Sequence, residues 1–230
     1  MPSLSFFDQV PKRHDNAVDF EGGSVSMPAD FIHRFLPGTS SRTLLLLHGT
    51  GGDEADLIQF GRALDSEAKL LSPRGKVSED GMPRFFRRLA EGVFDEEDLI
   101  RRTHELADFI EQAGVHYGFD PQKAVAVGYS NGANIAGALL LLRPGAIRGA
   151  ALLRPMVPLI PKELPKLKDA PVLVAAGNQD PIVPAENTRQ LADLLRRAGA
   201  DVTVYFENAG HGLTDKTVEA ITRWLSNKAK

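Results

Sequence analysis

Ala124-Val125-Ala126-Val127-Gly128-Tyr129-Ser130-Asn131-Gly132-Ala133-Asn134-Ile135 is the stretch on which the fold turns. A short apolar run enters a Gly-x-Ser-x-Gly turn and leaves it into a small-residue helical pattern carried by Ile135, Ala138, Leu139 and Leu142. Strand, tight turn and helix in that order are what a nucleophile elbow requires. The flanking glycines let the chain turn sharply and hold the Ser130 hydroxyl clear of the sheet edge. A Gly-rich strand-to-helix turn also serves packing alone in many proteins. The chemical reading therefore depends on partners elsewhere in the chain.

Outward from this stretch, apolar runs at residues 31–36, 43–47, 68–71, 149–153, 172–176 and 202–206 read as further strands. Helical patterns lie between most of them. Leu99, Thr103, Leu106, Ala107 and Ile110 recur at helical spacing, as do Leu191, Leu194, Leu195 and Ala198, with Pro184 ahead of the second set and Gly199 behind it. Thr214 is placed to cap a last helix with Val218, Ile221, Trp224 and Leu225 on one face. Such alternation predicts an α/β fold: a mainly parallel central sheet with helices on both faces. One domain is expected over residues 1–230, with an N-terminal segment at 1–30 and a core at about 31–226.

Two stretches break the alternation. Residues 72–95 hold Pro73, Gly75, Gly81 and Pro83, then Arg84-Phe85-Phe86-Arg87-Arg88, and read as a long functional loop. Residues 154–171 hold Pro155, Pro158, Pro161 and Pro165, which bar a regular helix, around the apolar Met156, Val157, Leu159 and Ile160.

Composition narrows the function. The 230 residues are 43% hydrophobic and 25% charged, with a formal net charge of -3, so no basic footprint for nucleic acid is present. There is no cysteine, which excludes disulfides, thiolate metal sites and a cysteine nucleophile. Residues 1–20 carry charges without a sustained apolar region, so no secretory signal is expected and the cytoplasm is the default location. The longest aliphatic runs, 44–47 and 139–142, are far too short to span a bilayer.

A serine hydroxyl needs a base to take its proton, and the base needs an acid to hold its tautomer. One histidine follows Ser130, namely His211 in Gly210-His211-Gly212, directly after the strand at 202–206. The acid is assigned to Asp180 in Gly177-Asn178-Gln179-Asp180-Pro181, again just past a strand, although Asp before Pro is also a common turn device. Asp169 and Asp201 precede their strands and fall at the wrong end of the sheet. Glu207 follows a strand and competes with Asp180. For the oxyanion, the backbone amides of Asn131, after the nucleophile, and of Thr50, in the turn His48-Gly49-Thr50-Gly51-Gly52-Asp53, are the expected donors. That Gly-rich turn lacks both the Walker and the G-x-G-x-x-G spacing, which argues against nucleotide binding. His48 is expected to orient the turn, since no second histidine at helical spacing makes a metal pair. Phe85, Phe86, Met156 and Leu159 are candidates for the substrate pocket, with core packing as the competing reading. Arg84 and Arg87 read either as receivers of an anionic leaving portion or as a solvated charge run.

With these four anchors in order, the chain resembles the phospholipase/carboxylesterase branch of the α/β-hydrolases over residues 43–225, and within it the MhqD-type bacterial carboxylesterases. Dienelactone hydrolases share the fold but resemble this chain less, because their nucleophile is cysteine. The resemblance implies an α/β-hydrolase fold without a large lid domain and carboxylic ester hydrolysis through an acyl-serine, often in a homodimer. It also implies a small-molecule ester as partner, with neither cofactor nor metal. Acyl-protein thioesterases usually carry Gln after the serine, where this chain has Asn131. A thioesterase or lysophospholipase-type hydrolase, and a ligand-binding protein that keeps the triad with little turnover, are the alternatives.

Overall fold

The computed structural model describes residues 31–228. The N-terminal segment at 1–30, with its expected lack of a signal, lies outside the described residues. In chain order the elements are β1 (His33–Leu36), β2 (Thr43–Leu47), α1 (Ile58–Leu64), β3 (Lys69–Pro73), β4 (Val77–Glu79), β5 (Met82–Arg84), β6 (Arg88–Ala90), β7 (Val93–Phe94), α2 (Glu96–Tyr117), β8 (Ala124–Tyr129), α3 (Asn131–Leu142), β9 (Gly149–Leu153), β10 (Pro171–Gly177), α4 (Ala185–Arg197), β11 (Asp201–Glu207) and α5 (Asp215–Lys228).

Each apolar run read as a strand contributes to one seven-stranded sheet, ordered β1-β3-β2-β8-β9-β10-β11. Only the β1–β3 edge is antiparallel; the other pairs are parallel. The runs are continuous rather than alternating because both faces are covered. Leu45, Leu47, Ala126, Leu152 and Val174 point to the face packed by α2, α3 and α4, while Leu44, Leu46, Val127, Leu153 and Ala175 point to the face packed by α1 and α5. Leu44, Leu45, Leu46 and Leu47 are each at most 1% exposed. Burying one such side chain contributes about 1.5–3 kcal/mol, so β2 is a firm base for the turn that follows it.

Helix boundaries follow local chemistry. Asp95 accepts the Asp98 amide to start α2, and Gly118, at φ 68°, ends it. Thr214 accepts the Thr217 amide at 3.3 Å at the head of α5, the cap expected from the sequence. Nearly every residue of α3 is buried, which explains its run of Gly, Ala and Leu: it lies between the sheet and α2.

Residues 72–95 are not the open loop expected. Two short hairpins occupy most of the stretch, β4–β5 and β6–β7. Asp80 and Gly81 stand between the paired Glu79 and Met82, both with positive φ, 52° and 81°. That is the Asp-Gly signature of a two-residue hairpin turn. Glu91-Gly92 plays the same part between Ala90 and Val93, with Gly92 at φ 73°. Residues 154–171 between β9 and β10 carry no helix, as their prolines require. No helix among the described residues is long and apolar enough to cross a membrane.

Candidate active site

The sheet delivers four turns to the C-terminal edge of its parallel strands, where ligands of open α/β sheets bind. At the end of β8, Ser130 is forced to φ 52° and ψ -111°. Its amide donates to the Leu153 carbonyl at 2.9 Å, and its own carbonyl accepts from Asn134 at 3.0 Å to start α3. A Cβ on Gly128 would lie 2.4 Å from the Gly132 carbonyl oxygen, and one on Gly132 would lie 2.0 Å from that of Leu47. Helix and strand approach too closely for any side chain at either position. Packing and elbow are therefore one requirement here, since the close approach is what presents the strained serine.

The turn after β11 brings His211 to Ser130, with Nε2 3.0 Å from Oγ. The turn after β10 brings Asp180 to the far side of the ring, with Oδ2 2.8 Å from Nδ1. A carboxylate only accepts, so the proton sits on Nδ1 and Nε2 is left to accept from the serine hydroxyl. The Asp180 side chain is 1% exposed and that of His211 18%. Asp180 also serves its turn: Oδ1 accepts from the Ile182 amide at 2.8 Å and the Val183 amide at 3.0 Å. Each carboxylate oxygen thus has its own partners, Oδ1 the two turn amides and Oδ2 the imidazole.

Glu207, the competing acid, is engaged elsewhere. Its oxygens accept from Arg154, Thr214 and Thr217. Burial pushes its carboxyl up, but those hydrogen bonds and the Arg154 charge outweigh burial and hold it below the usual carboxylate range.

At the end of β2, the Thr50 amide takes no part in the hydrogen bonds of its own turn, which run from Gly51 to Pro83 at 3.0 Å and from Gly52 to Gly49 at 3.1 Å. The Asn131 amide opens α3, where first-turn amides lack intrahelical acceptors. His48 braces the Thr50 turn. Its ring spans the Gly49 carbonyl at 2.6 Å and the Gly75 amide at 2.9 Å. Since an amide can only donate, Nε2 accepts and Nδ1 carries the proton. Burial lowers the pKa of this ring and keeps it neutral. Among the described residues no group of three or more His, Asp or Glu side chains could hold a metal.

A cavity of about 240 Å³ opens over these turns, lined by Thr50, Tyr129, Ser130, Asn131, Asn134 and His211 on the sheet side. Arg84, Arg88, Glu91, Gly92 and Phe94 of the two hairpins, with Met156 and Ile182, complete it. Met156 is thus the one of the four pocket candidates found at the cavity. Phe85, Phe86 and Leu159 are not. They are 2%, 0% and 6% exposed within the core on the α2–α3 face. Phe85 packs on the His48 ring at 4.7 Å and Phe86 edge-on to Phe94 at 5.1 Å. The two phenylalanines lie beneath the hairpins and do not line the cavity.

The two arginines of that stretch also divide. Arg84 is 3% exposed and ties Glu79, the Phe86 carbonyl and, at 2.7 Å, the Thr50 hydroxyl together. Arg87 is largely exposed and pairs with Asp95. Sequence reasoning missed Phe94, Asn134 and Ile182 at the cavity. It also missed Tyr129, whose hydroxyl donates to the His211 carbonyl at 3.2 Å.

Residues 84–228 match the model of the dienelactone hydrolase family. The chain is 49% identical over 192 residues to MhqD of Bacillus subtilis (strain 168), classed as a hydrolase, covering 84% of this chain and 96% of that one. The crystal structure of the Bacillus cereus carboxylesterase superposes with a TM-score of 0.85 at 50% identity, over 88% of this chain and 96% of that one. The structure of YahD with malic acid does so with a TM-score of 0.81 at 31% identity, over 86% and 99%. The likeness to MhqD read from the motifs is borne out. The dienelactone hydrolases, set further from the chain in the sequence reading because of their cysteine nucleophile, are nonetheless the family whose model matches, here with Ser130 at the elbow.

Proposed function

The chain belongs to the dienelactone hydrolase family of the α/β-hydrolases and is a hydrolase, and we propose that it is a serine carboxylesterase acting through Ser130, Asp180 and His211. The observation that carries the proposal is the unbroken relay from Asp180 through His211 to a serine held in a strained elbow. His211 Nε2 takes the Ser130 proton as Oγ attacks the ester carbonyl, and the amides of Thr50 and Asn131 receive the negative charge on the carbonyl oxygen. The imidazolium, stabilised by Asp180, then gives that proton to the departing alkoxide, leaving an acyl-serine. Water, deprotonated by His211, attacks the acyl-serine; the acid departs and the proton returns to Ser130.

The cavity of about 240 Å³ is smaller than the 300–1,000 Å³ usual for drug-sized ligands, which favours a small acyl group. Its mixed lining suits an acyl group that carries polar atoms: Asn134, Glu91 and the Glu79-paired Arg84 and Arg88 stand beside Met156, Phe94 and Ile182. The malic acid in the YahD structure is a polar acid of this size class. One domain, expected from chain length, a cytoplasmic location, expected from the N-terminal composition, and assembly as a homodimer, implied by the family resemblance, belong to the proposal.

Hydrolysis of p-nitrophenyl esters from acetate to decanoate, with Ser130→Ala as control, tests the reading. Turnover that favours short acyl groups and vanishes in the variant is expected. No turnover, together with no labelling by a fluorophosphonate probe, would replace the esterase with a binding protein.

A further inference from the structure

Three consecutive carbonyls, those of Gly210, His211 and Gly212, each accept a hydrogen bond from a side chain outside their loop. Arg154 Nε reaches Gly210 at 3.1 Å, the Tyr129 hydroxyl reaches His211 at 3.2 Å, and Arg154 Nη2 reaches Gly212 at 2.9 Å. Arg154 stands just past β9 with φ 55° and its amide on the Ala175 carbonyl at 2.7 Å, and it is 1% exposed. Its Nη2 also meets Glu207 at the end of β11, and Glu207 in turn accepts from Thr214 at 2.6 Å and from Thr217. The loop from Glu207 to Thr214 is thereby closed at its two ends and gripped in its middle.

We propose that Arg154 is a positioning residue for His211, working with Tyr129 to fix the imidazole to the strands β8 and β9 instead of leaving it to its own glycine-flanked loop. The inference rests on the serine esterase reading. A buried ion pair is weak evidence for stability, because a well-packed apolar pair of similar volume is often as stable. What apolar residues cannot do is hold two carbonyls on either side of one residue. The rigid fork of a guanidinium can. Lysine places its three donors on one nitrogen and lacks the separated Nε and Nη2 that meet the two carbonyls here.

The chemistry provides a readout that stability does not move. In acylation His211 first removes the serine proton and then hands it to the leaving group. p-Nitrophenolate departs as a stable anion without that proton, whereas an alkoxide must receive it. A misaligned imidazole therefore penalises an alkyl ester more than an aryl ester of the same acid. A variant that is merely less folded loses both in proportion.

The experiment compares kcat and KM for ethyl acetate and p-nitrophenyl acetate in the full chain, in Arg154→Met/Glu207→Leu, in Arg154→Lys and in Tyr129→Phe, with folding checked by circular dichroism. The double variant is expected to lose about 10- to 100-fold in kcat/KM on ethyl acetate, the scale of a displaced catalytic group, with a clearly smaller loss on the aryl ester; kcat/KM is compared because it reports acylation, whereas kcat includes hydrolysis of the acetyl-serine the two esters share. Tyr129→Phe, which removes one hydroxyl and no charge, should show the same asymmetry to a smaller degree, as should Arg154→Lys. Equal losses on the two esters in folded variants, or no loss, would overturn the proposal. If the double variant does not fold, the two single variants decide by the same ratio. Ser130→Ala separates the underlying reading: activity that survives it sinks the serine mechanism itself, whatever Arg154 does.

Discussion

Replacing Asp180 by Asn separates the two tasks of that residue. Its Oδ1 accepts two backbone amides, Ile182 at 2.8 Å and Val183 at 3.0 Å, and its Oδ2 faces Nδ1 of His211 at 2.8 Å. In the Asp180→Asn chain the amides permit only one orientation of the new side chain, with its oxygen toward them. The NH₂ group then points at Nδ1, which must become an acceptor, so the imidazole proton moves to Nε2 and faces the serine hydroxyl. A base that already carries the proton cannot take another. The loss of kcat should be about 10⁴-fold, the size seen when a triad histidine is held in the wrong tautomer, or about 5.5 kcal/mol of transition-state stabilisation. Stability should change by less than about 1 kcal/mol, because the turn keeps its bonds. Steady-state hydrolysis of p-nitrophenyl acetate and urea unfolding of the same preparation measure the two quantities. A variant within tenfold of the parent would refute the assignment. So would a large drop in stability that accounts for the lost activity.

Two further outcomes follow from the same turns. Gly132→Ala places a methyl 2.0 Å from the Leu47 carbonyl oxygen and 2.6 Å from that of His48; both are backbone, so the change should cost about 3 kcal/mol or more, read as a lowered urea midpoint, and an unshifted midpoint would contradict the packing described. His48 is held neutral by burial, so its folded pKa lies below the unfolded value of about 6.5. Between those two values the unfolded chain binds the extra proton, and stability should fall as pH drops from 7 to 5, by at most about 1.4 kcal/mol per pH unit from this group. Urea midpoints across that range should be flatter in His48→Gln, and an unchanged slope would place the effect elsewhere.

The strands were legible because burial on both faces turns each into a bare apolar run, a signal that needs no neighbour to interpret. Ser130, Asp180 and His211 stood out for another reason: each follows such a run in a turn of distinctive composition. The hairpins over residues 77–94 were not read, since strands of two or three residues carry no periodicity. The two dipeptides Asp80-Gly81 and Glu91-Gly92 were the available signal. Phe85, Phe86 and Leu159 show the limit of apolarity as a guide, because a phenylalanine beneath a hairpin and one lining a cavity read alike in a linear sequence. Arg154 was hidden more deeply. It begins a proline-rich stretch and resembles a surface charge, and its acceptors lie 56 and 58 positions away.

The cavity has two walls of different origin. One consists of strand ends, set in a sheet whose residues pack on both sides. The other is a pair of hairpins, and they are not equally attached. The first is moored to the Thr50 turn by the Gly51–Pro83 bond and to α3 by the Phe85 amide on Asn131 Oδ1 at 2.7 Å. At its tip the second offers the exposed Leu89, Glu91 and Val93, and its Gly92 lines the cavity together with Met156. Arg88 on Glu79 and Phe94 on Phe86 anchor its base, while residues 89–93 are exposed and substitutions there trade surface for surface, so the tip can reshape the mouth of the cavity without disturbing the core beneath.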